Sequence, residues 1–187
     1  MAKRIVIGIT GASGVIYGIR MLEVLRKMDV ETHLIVSESG RKTIEIETPF
    51  QFSQVTALAS RWYDNRDMAA ALASGSFLTC GMVVIPCSIK TLSGIAHSYT
   101  ENLLIRAADV TLKEKRRLIL VVRETPLHLG HLRLMEAAAE CGAQILPPIP
   151  SFYHQPLSID DLIHQTIGKI LDSLGIEHDL FRRWEGG

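Results

Sequence analysis

The stretch Gly8-Ile9-Thr10-Gly11-Ala12-Ser13-Gly14 combines small side chains with two hydroxyls directly after a short apolar run, Ile5-Val6-Ile7. Opening a helix, such a loop presents unpaired backbone N–H groups that favour an anion, small residues let a phosphate approach, and Thr10 or Ser13 adds a hydroxyl donor. The pattern is neither the dinucleotide G-x-G-x-x-G nor a Walker loop ending in Lys. A phosphate-bearing ligand is expected, against the alternative that the glycines serve only tight packing.

A second loop, Pro86-Cys87-Ser88-Ile89-Lys90-Thr91, also follows an apolar run and precedes a helix. Two such loops on neighbouring strands, joined by Ser37 at the end of another, meet at the carboxyl edge of a sheet, where open α/β folds bind ligands. Three hydroxyl-bearing strand ends read as a mononucleotide pocket; a Ser capping each helix is the structural alternative. Cys87 has no His or acid near it in sequence and reads as a small buried residue. Arg106, Lys113 and the Arg123-Glu124 pair at a strand exit form a basic constellation. Arg123 either ion-pairs with Glu124 or Asp109 or holds a phosphate, and the sequence leaves both open. Glu47 is expected at a helix end on the same edge as Ser13. A carboxylate there is costly beside a phosphate unless it has a use, the alternative being a surface Glu paired with Lys42 or Arg41. His128 and His131 lack ligand-spaced partners, so no metal is expected. Tyr153-His154 follows Pro147-Pro148-Ile149-Pro150, an extended turn presenting an aromatic.

These residues need a frame. The 187 residues fit one domain, and 47% hydrophobic with 21% charged residues is globular composition. Lys+Arg and Asp+Glu both number 20, so no net field gathers nucleic acid or a membrane surface. Three cysteines, an odd number, suit a reducing compartment, and cytoplasm is the expectation. Apolar β-branched runs alternate with stretches of helical period, as in a parallel sheet covered by helices. The expected strands are 4–9, 32–36, 82–85, 118–122 and 144–146; the expected helices are 15–27, 38–46, 102–113, 131–141 and 159–174. The uncharged stretch 68–89 reads as a buried helix, a turn and a buried strand rather than a membrane span. No repeat or linker divides the chain, so residues 1–187 read as one domain.

Together, Thr10-Gly11-Ala12-Ser13-Gly14, Ile46-Glu47-Thr48, Pro86-Cys87-Ser88-Ile89-Lys90-Thr91-Leu92, Arg106-Ala107-Ala108-Asp109-Val110, Leu112-Lys113-Glu114, Val122-Arg123-Glu124-Thr125-Pro126-Leu127 and Phe152-Tyr153-His154-Gln155-Pro156 resemble the UbiX-type flavin prenyltransferases, long labelled phenylacrylic acid or aromatic acid decarboxylases. The resemblance spans nearly the whole chain. It departs from the family's usual pattern at Ile89, often Met, and at Arg133-Leu134, commonly Glu-Asn.

The resemblance implies an α/β, flavodoxin-like (Rossmann-like) fold: a three-layer doubly wound parallel sheet with helices on both faces. It implies a homo-oligomer, with a dodecamer as one expected size. The implied reaction joins a dimethylallyl group from dimethylallyl phosphate to N5 and C6 of reduced FMN, without metal, and the product serves a UbiD-type decarboxylase. By motif, Gly11, Ala12, Ser13, Ser37, Ser88, Ile89, Lys90, Thr91 and Arg123 hold FMN. Arg106, Lys113, Tyr153 and Lys169 hold the prenyl phosphate, Trp184 is an aromatic wall, and Ser13, Glu47 and Glu124 are the catalytic set. The alternatives are an FMN-dependent aromatic acid decarboxylase, a cysteine-type decarboxylase, or a non-enzymatic flavin carrier. Cysteine decarboxylases carry a Pro-Ala-Ser-Ala-Asn-Thr loop where this chain has residues 86–91, which favours the prenyltransferase.

Overall fold

The computed structural model describes residues 4–184 and 186. Two compact units are present, one running to Pro147 and the other starting at Pro148. In the first, apolar runs become the strands β1 (Arg4–Ile9), β2 (Glu31–Val36), β3 (Arg61–Tyr63), β4 (Gly81–Cys87), β5 (Arg117–Val122) and β6 (Gln144–Ile145). Among the described residues these form one six-stranded sheet, all parallel, in the order β3-β2-β1-β4-β5-β6. Without the three-residue edge strand β3, the order is the flavodoxin one.

β1 and β4 are buried almost throughout, as central strands covered on both faces must be. Side chains alternate between those faces. Leu104 of α5 (Leu103–Lys113) lies over Gly8, where an added Cβ would come within 3.2 Å of it. On the other face α1 (Val15–Lys27) comes so close at Gly18 that a Cβ would lie 2.5 Å from the Ile85 carbonyl oxygen. The α5 face is sealed by Leu92 and Ile95 of α4 (Ile89–Ala96), Leu103 and Ala107 of α5, and Leu134, Met135 and Ala138 of α6 (Leu129–Glu140). The result is the expected three-layer sandwich.

Three local expectations need correction. Residues 68–80 form turns and one 3₁₀ turn at Ala71–Ala73, not a buried helix. There the Asp67 carboxylate accepts from the Ala69 N–H, and Arg116 donates to the carbonyls of Gly75 and Phe77, so side chains take backbone donors and acceptors that a helix would have paired internally. The segment 50–67, where no strand or helix is expected, carries a short helix α3 (Phe52–Thr56) and β3. Finally, α6 begins at Leu129 because His128 supplies the N-cap, its Nδ1 accepting from the Gly130 N–H at 3.0 Å.

The second unit holds α7 (Ile159–Leu174), whose N-cap Ser158 forms a reciprocal box with Asp161. Gly168 lies beneath Phe181 and His178, where a Cβ would clash at 2.4 Å and 2.6 Å. Among the described residues no helix is long and apolar enough to cross a membrane.

Candidate active site

β1 and β4 are neighbours whose connections leave in opposite directions, and their carboxyl ends therefore open into a crevice. The loop after β1 turns at Gly14, which adopts φ 95° as the N-cap of α1 without a side-chain cap. A substituted residue there would be strained, so glycine is required. The Gly14 N–H donates instead to the Glu47 carboxylate at 2.8 Å. Glu47 is the last residue of α2 (Glu38–Glu47), and this bond tethers it beside Ser13. Glu47 is exposed, and of its two alternative surface partners Arg41 faces Glu45 at 3.8 Å, one turn along the same helix. The Tyr17 ring lies over Gly14. Burial pushes the Tyr17 phenol above its ordinary value, and the positive charge of Arg123 pulls the other way. Arg123 therefore comes from the end of β5 toward the same loop, its backbone N–H bonded to the Cys87 carbonyl at 3.1 Å. Asp109 is taken by Arg106 at 3.0 Å, and the Glu124 carboxylate accepts from the Thr125 N–H.

A cleft of about 330 Å³ opens beside this loop. Gly11, Ser37, Ser88, Lys90 and Thr91 line it, as expected; Ala12, Ser13, Ile89 and Arg123 do not. It is also bordered by Glu38, Ser39, Asn65 and Asn102, which the sequence reading missed. Asn102 was legible as a cap before an apolar run, and its Oδ1 does accept from the Ile105 N–H at 3.1 Å. Asn65 had no such signal: it reaches across the chain to accept from the Leu104 N–H at 2.9 Å. The helices α2 and α4 start at this cleft with Ser37 and Ser88 as N-caps. Each cap accepts one first-turn N–H, from Gly40 at 3.0 Å and from Thr91 at 3.4 Å, and the other first-turn donors have no partner within the helix. Hydroxyls, converging helix N-termini and a glycine wall form a donor set suited to a phosphate monoester on a polar chain, and so to FMN. Lys90 adds a cation, paired at 3.6 Å with Glu101. Thr10 adds nothing to the ligand: it is 1% exposed and its hydroxyl points inward. Cys87 is wholly buried, which pushes its thiol far above the ordinary range and makes it inert as a nucleophile.

Arg106 and Lys113 do come together, two turns apart on α5, but in another cleft. That space of about 570 Å³ is walled by Ala73, Ser74-Gly75-Ser76 and Glu114. The Arg106 guanidinium donates to the Ala73 carbonyl at 3.2 Å and to Asp109, and Lys113 pairs with Glu114. In the C-terminal unit the Tyr153 hydroxyl accepts from Gln165 at 3.4 Å, and its ring meets Trp184 edge-on with centroids 6.4 Å apart. Lys169 lies 3.8 Å from Asp172, which also binds His178 at 3.1 Å and Arg183 at 2.7 Å. The Arg183 guanidinium holds the Asp172 carboxyl below its ordinary value. His128 and His131 stack with ring centroids 3.6 Å apart; among the described residues no three acidic, His or Cys side chains gather as metal ligands.

The Flavoprotein family model matches residues 1–172. Flavin prenyltransferase UbiX of Escherichia coli (strain K12) is 60% identical, over 98% of this chain and 99% of its own length. The chain belongs to the UbiX flavin prenyltransferase family. A member of this family, AnUbiX, solved in complex with FMN and dimethylallyl pyrophosphate, superposes over the whole of both chains with a TM-score of 0.98 at 47% identity. A dodecameric FMN-dependent UbiX-like decarboxylase from Escherichia coli O157:H7 matches 98% of this chain with a TM-score of 0.95 at 47% identity. The peptidyl-cysteine decarboxylase EpiD shares the fold at 16% identity and a TM-score of 0.64.

Proposed function

We propose that the chain, acting over residues 1–187 as one FMN-binding domain, transfers a dimethylallyl group from dimethylallyl phosphate to N5 and C6 of reduced FMN. The allylic C–O bond breaks with its electron pair leaving on the phosphate as the prenyl CH2 bonds to N5, which gives up its proton. The prenyl double bond then takes up a proton at its CH carbon, its tertiary carbon bonds to C6, and C6 gives up its proton, so that one proton is released net. The observation that carries this reading is the Glu47 carboxylate fixed 2.8 Å from the Gly14 N–H, next to Ser13. A carrier needs only the hydroxyl cleft; a reaction that ends in proton loss needs a base at its rim.

The chain's own residues divide the work. Gly11, Ser37, Ser88, Lys90 and Thr91 hold the FMN phosphate and polar chain, with Ala12, Ser13, Ile89 and Arg123 assigned to the flavin side. Glu47 accepts the proton, with Ser13 or Glu124 as the route. Breaking the allylic bond needs cations on the departing phosphate and π surface near the carbon, and fixed side chains in a dry site supply these without a metal. Arg106, Lys113, Lys169 and the Tyr153 hydroxyl are assigned to that phosphate, and Trp184 to the aromatic wall. Arg106 and Lys113 line a cleft apart from the FMN loops, so we assign their share of the work to the active site of a neighbouring copy in a homo-oligomer. The prenylated flavin then passes to a UbiD-type decarboxylase, and the reaction is placed in the cytoplasm.

Ligand choice tests the pocket. FMN should bind saturably to the purified protein, and NAD should not, since the loop after β1 lacks the G-x-G-x-x-G turn that holds a dinucleotide's pyrophosphate. Saturable NAD binding without FMN binding would remove the reading.

A further inference from the structure

We infer that Thr10 is a positioning residue for the FMN cleft: its buried hydroxyl locks the loop after β1 to the loop after β4, so the donors of both loops are in register before ligand arrives. The inference rests on the FMN reading above.

Regular pairing of β1 with β4 ends at Gly8 and Val84. Beyond that point no further residue pair of the β1–β4 ladder sets the distance between the ligand-binding loops. Thr10 takes over that role. Its Oγ donates to the Pro86 carbonyl at 2.7 Å and accepts from the Ser88 N–H at 2.8 Å, while its own N–H donates to the same Pro86 carbonyl at 3.3 Å. Of the amino acids that fit this volume, only a hydroxyl side chain donates to a carbonyl and accepts from an amide at once. The residue is 1% exposed, so water cannot substitute for it. The tie continues into the cleft, because Ser88 caps α4 and its hydroxyl donates to Thr91 at 3.2 Å. On the other side the Ser37 N–H donates to the Ile9 carbonyl at 2.9 Å, so one dipeptide, Ile9-Thr10, fixes both serine caps relative to the glycine loop. Binding to a cleft fixed in advance avoids the ordering cost of assembling it around the ligand.

The test compares FMN affinity of the full-length protein and two variants. Thr10→Val keeps shape but strands the Ser88 N–H, and should raise the FMN Kd roughly ten- to a hundredfold. The KM for dimethylallyl phosphate and the kcat at saturating FMN should stay within about twofold, a split that mere destabilisation of the fold does not produce. Thr10→Ser restores both hydrogen bonds and should bring the Kd back to within about threefold of the parent. An unchanged Kd in Thr10→Val, with normal FMN binding by the parent, overturns the positioning role and leaves the FMN reading intact. Absence of FMN binding by the parent overturns both. If Thr10→Val does not fold, hydrogen exchange of the parent decides: the Ser88 amide should already be protected in ligand-free protein, and free exchange there, with protection only on adding FMN, overturns the inference.

Discussion

At the scale of single residues, what separates a working site from a folded surface is where each polar group spends its hydrogen bonds. Glu47 spends its carboxylate on the loop backbone beside Ser13, while Arg41, one of its two alternative partners with Lys42, faces Glu45. Glu47→Gln keeps an acceptor for the Gly14 N–H but has no basicity, so the variant should fold, bind FMN and lose at least about a hundredfold in formation of the fully cyclised flavin. Because the N5-prenylated adduct and the cyclised flavin have equal mass, the absorbance spectrum and NMR of the flavin after single-turnover incubation read this; cyclised product at the parent rate removes Glu47 from proton transfer. The glycine loop and the capping serines were legible because few residue types can perform those tasks. The direction of Thr10 was not: a hydroxyl in such a loop serves a ligand or the core equally well until the partner carbonyl of Pro86, far away in sequence, is in place.

Among the elements, legibility followed length and burial. β1, α1 and α7 were expected at the bounds they have, because long runs of one period leave a single reading. β3 has three residues, two of them exposed, and an apolar pattern cannot mark so short an edge strand. It is held partly by a buried polar chain. The Glu31 carboxylate accepts from His33 Nε2 at 3.0 Å, so Nδ1 is free to accept from the Tyr63 hydroxyl at 2.9 Å, and Arg4 binds the other Glu31 oxygen at 2.8 Å. Burial pushes the His33 imidazole below its ordinary value, aided by Arg4 and Arg61 and opposed by Glu31. The unfolded chain therefore binds the proton more readily. Stability is complete above the ordinary imidazole value of about 6.5 and falls as pH drops below it toward the lower folded value. Urea midpoints at about pH 7.5 and 5.5 should show this loss in the parent and a smaller one in His33→Gln. The Arg4-held Glu31, depressed below its ordinary value, loses its contribution only at still lower pH. Equal losses in parent and variant would exclude His33 as the source.

For the whole molecule, one chain brings its candidate residues to separate places. Ser13 and Glu47 meet at the first loop, the serine caps line one cleft, and Arg106 with Lys113 lines another. Large apolar side chains such as Ile46, Leu129, Leu157 and Ile159 are at least 60% exposed, more than a water-facing surface favours when they cluster. Both features suit a homo-oligomer that completes each site from a neighbour, a property that periodicity and composition do not encode. Sedimentation should give a closed assembly larger than a dimer, and a fully active monomer would contradict it. The most direct measurement of the central claim is anaerobic incubation of the protein with reduced FMN and dimethylallyl phosphate, followed by mass analysis of the flavin. The account predicts a flavin heavier by one isoprene unit, with phosphate released in equal amount. Unmodified FMN in the presence of bound substrate, or carbon dioxide released from an aromatic acid by the protein with ordinary FMN, would contradict it.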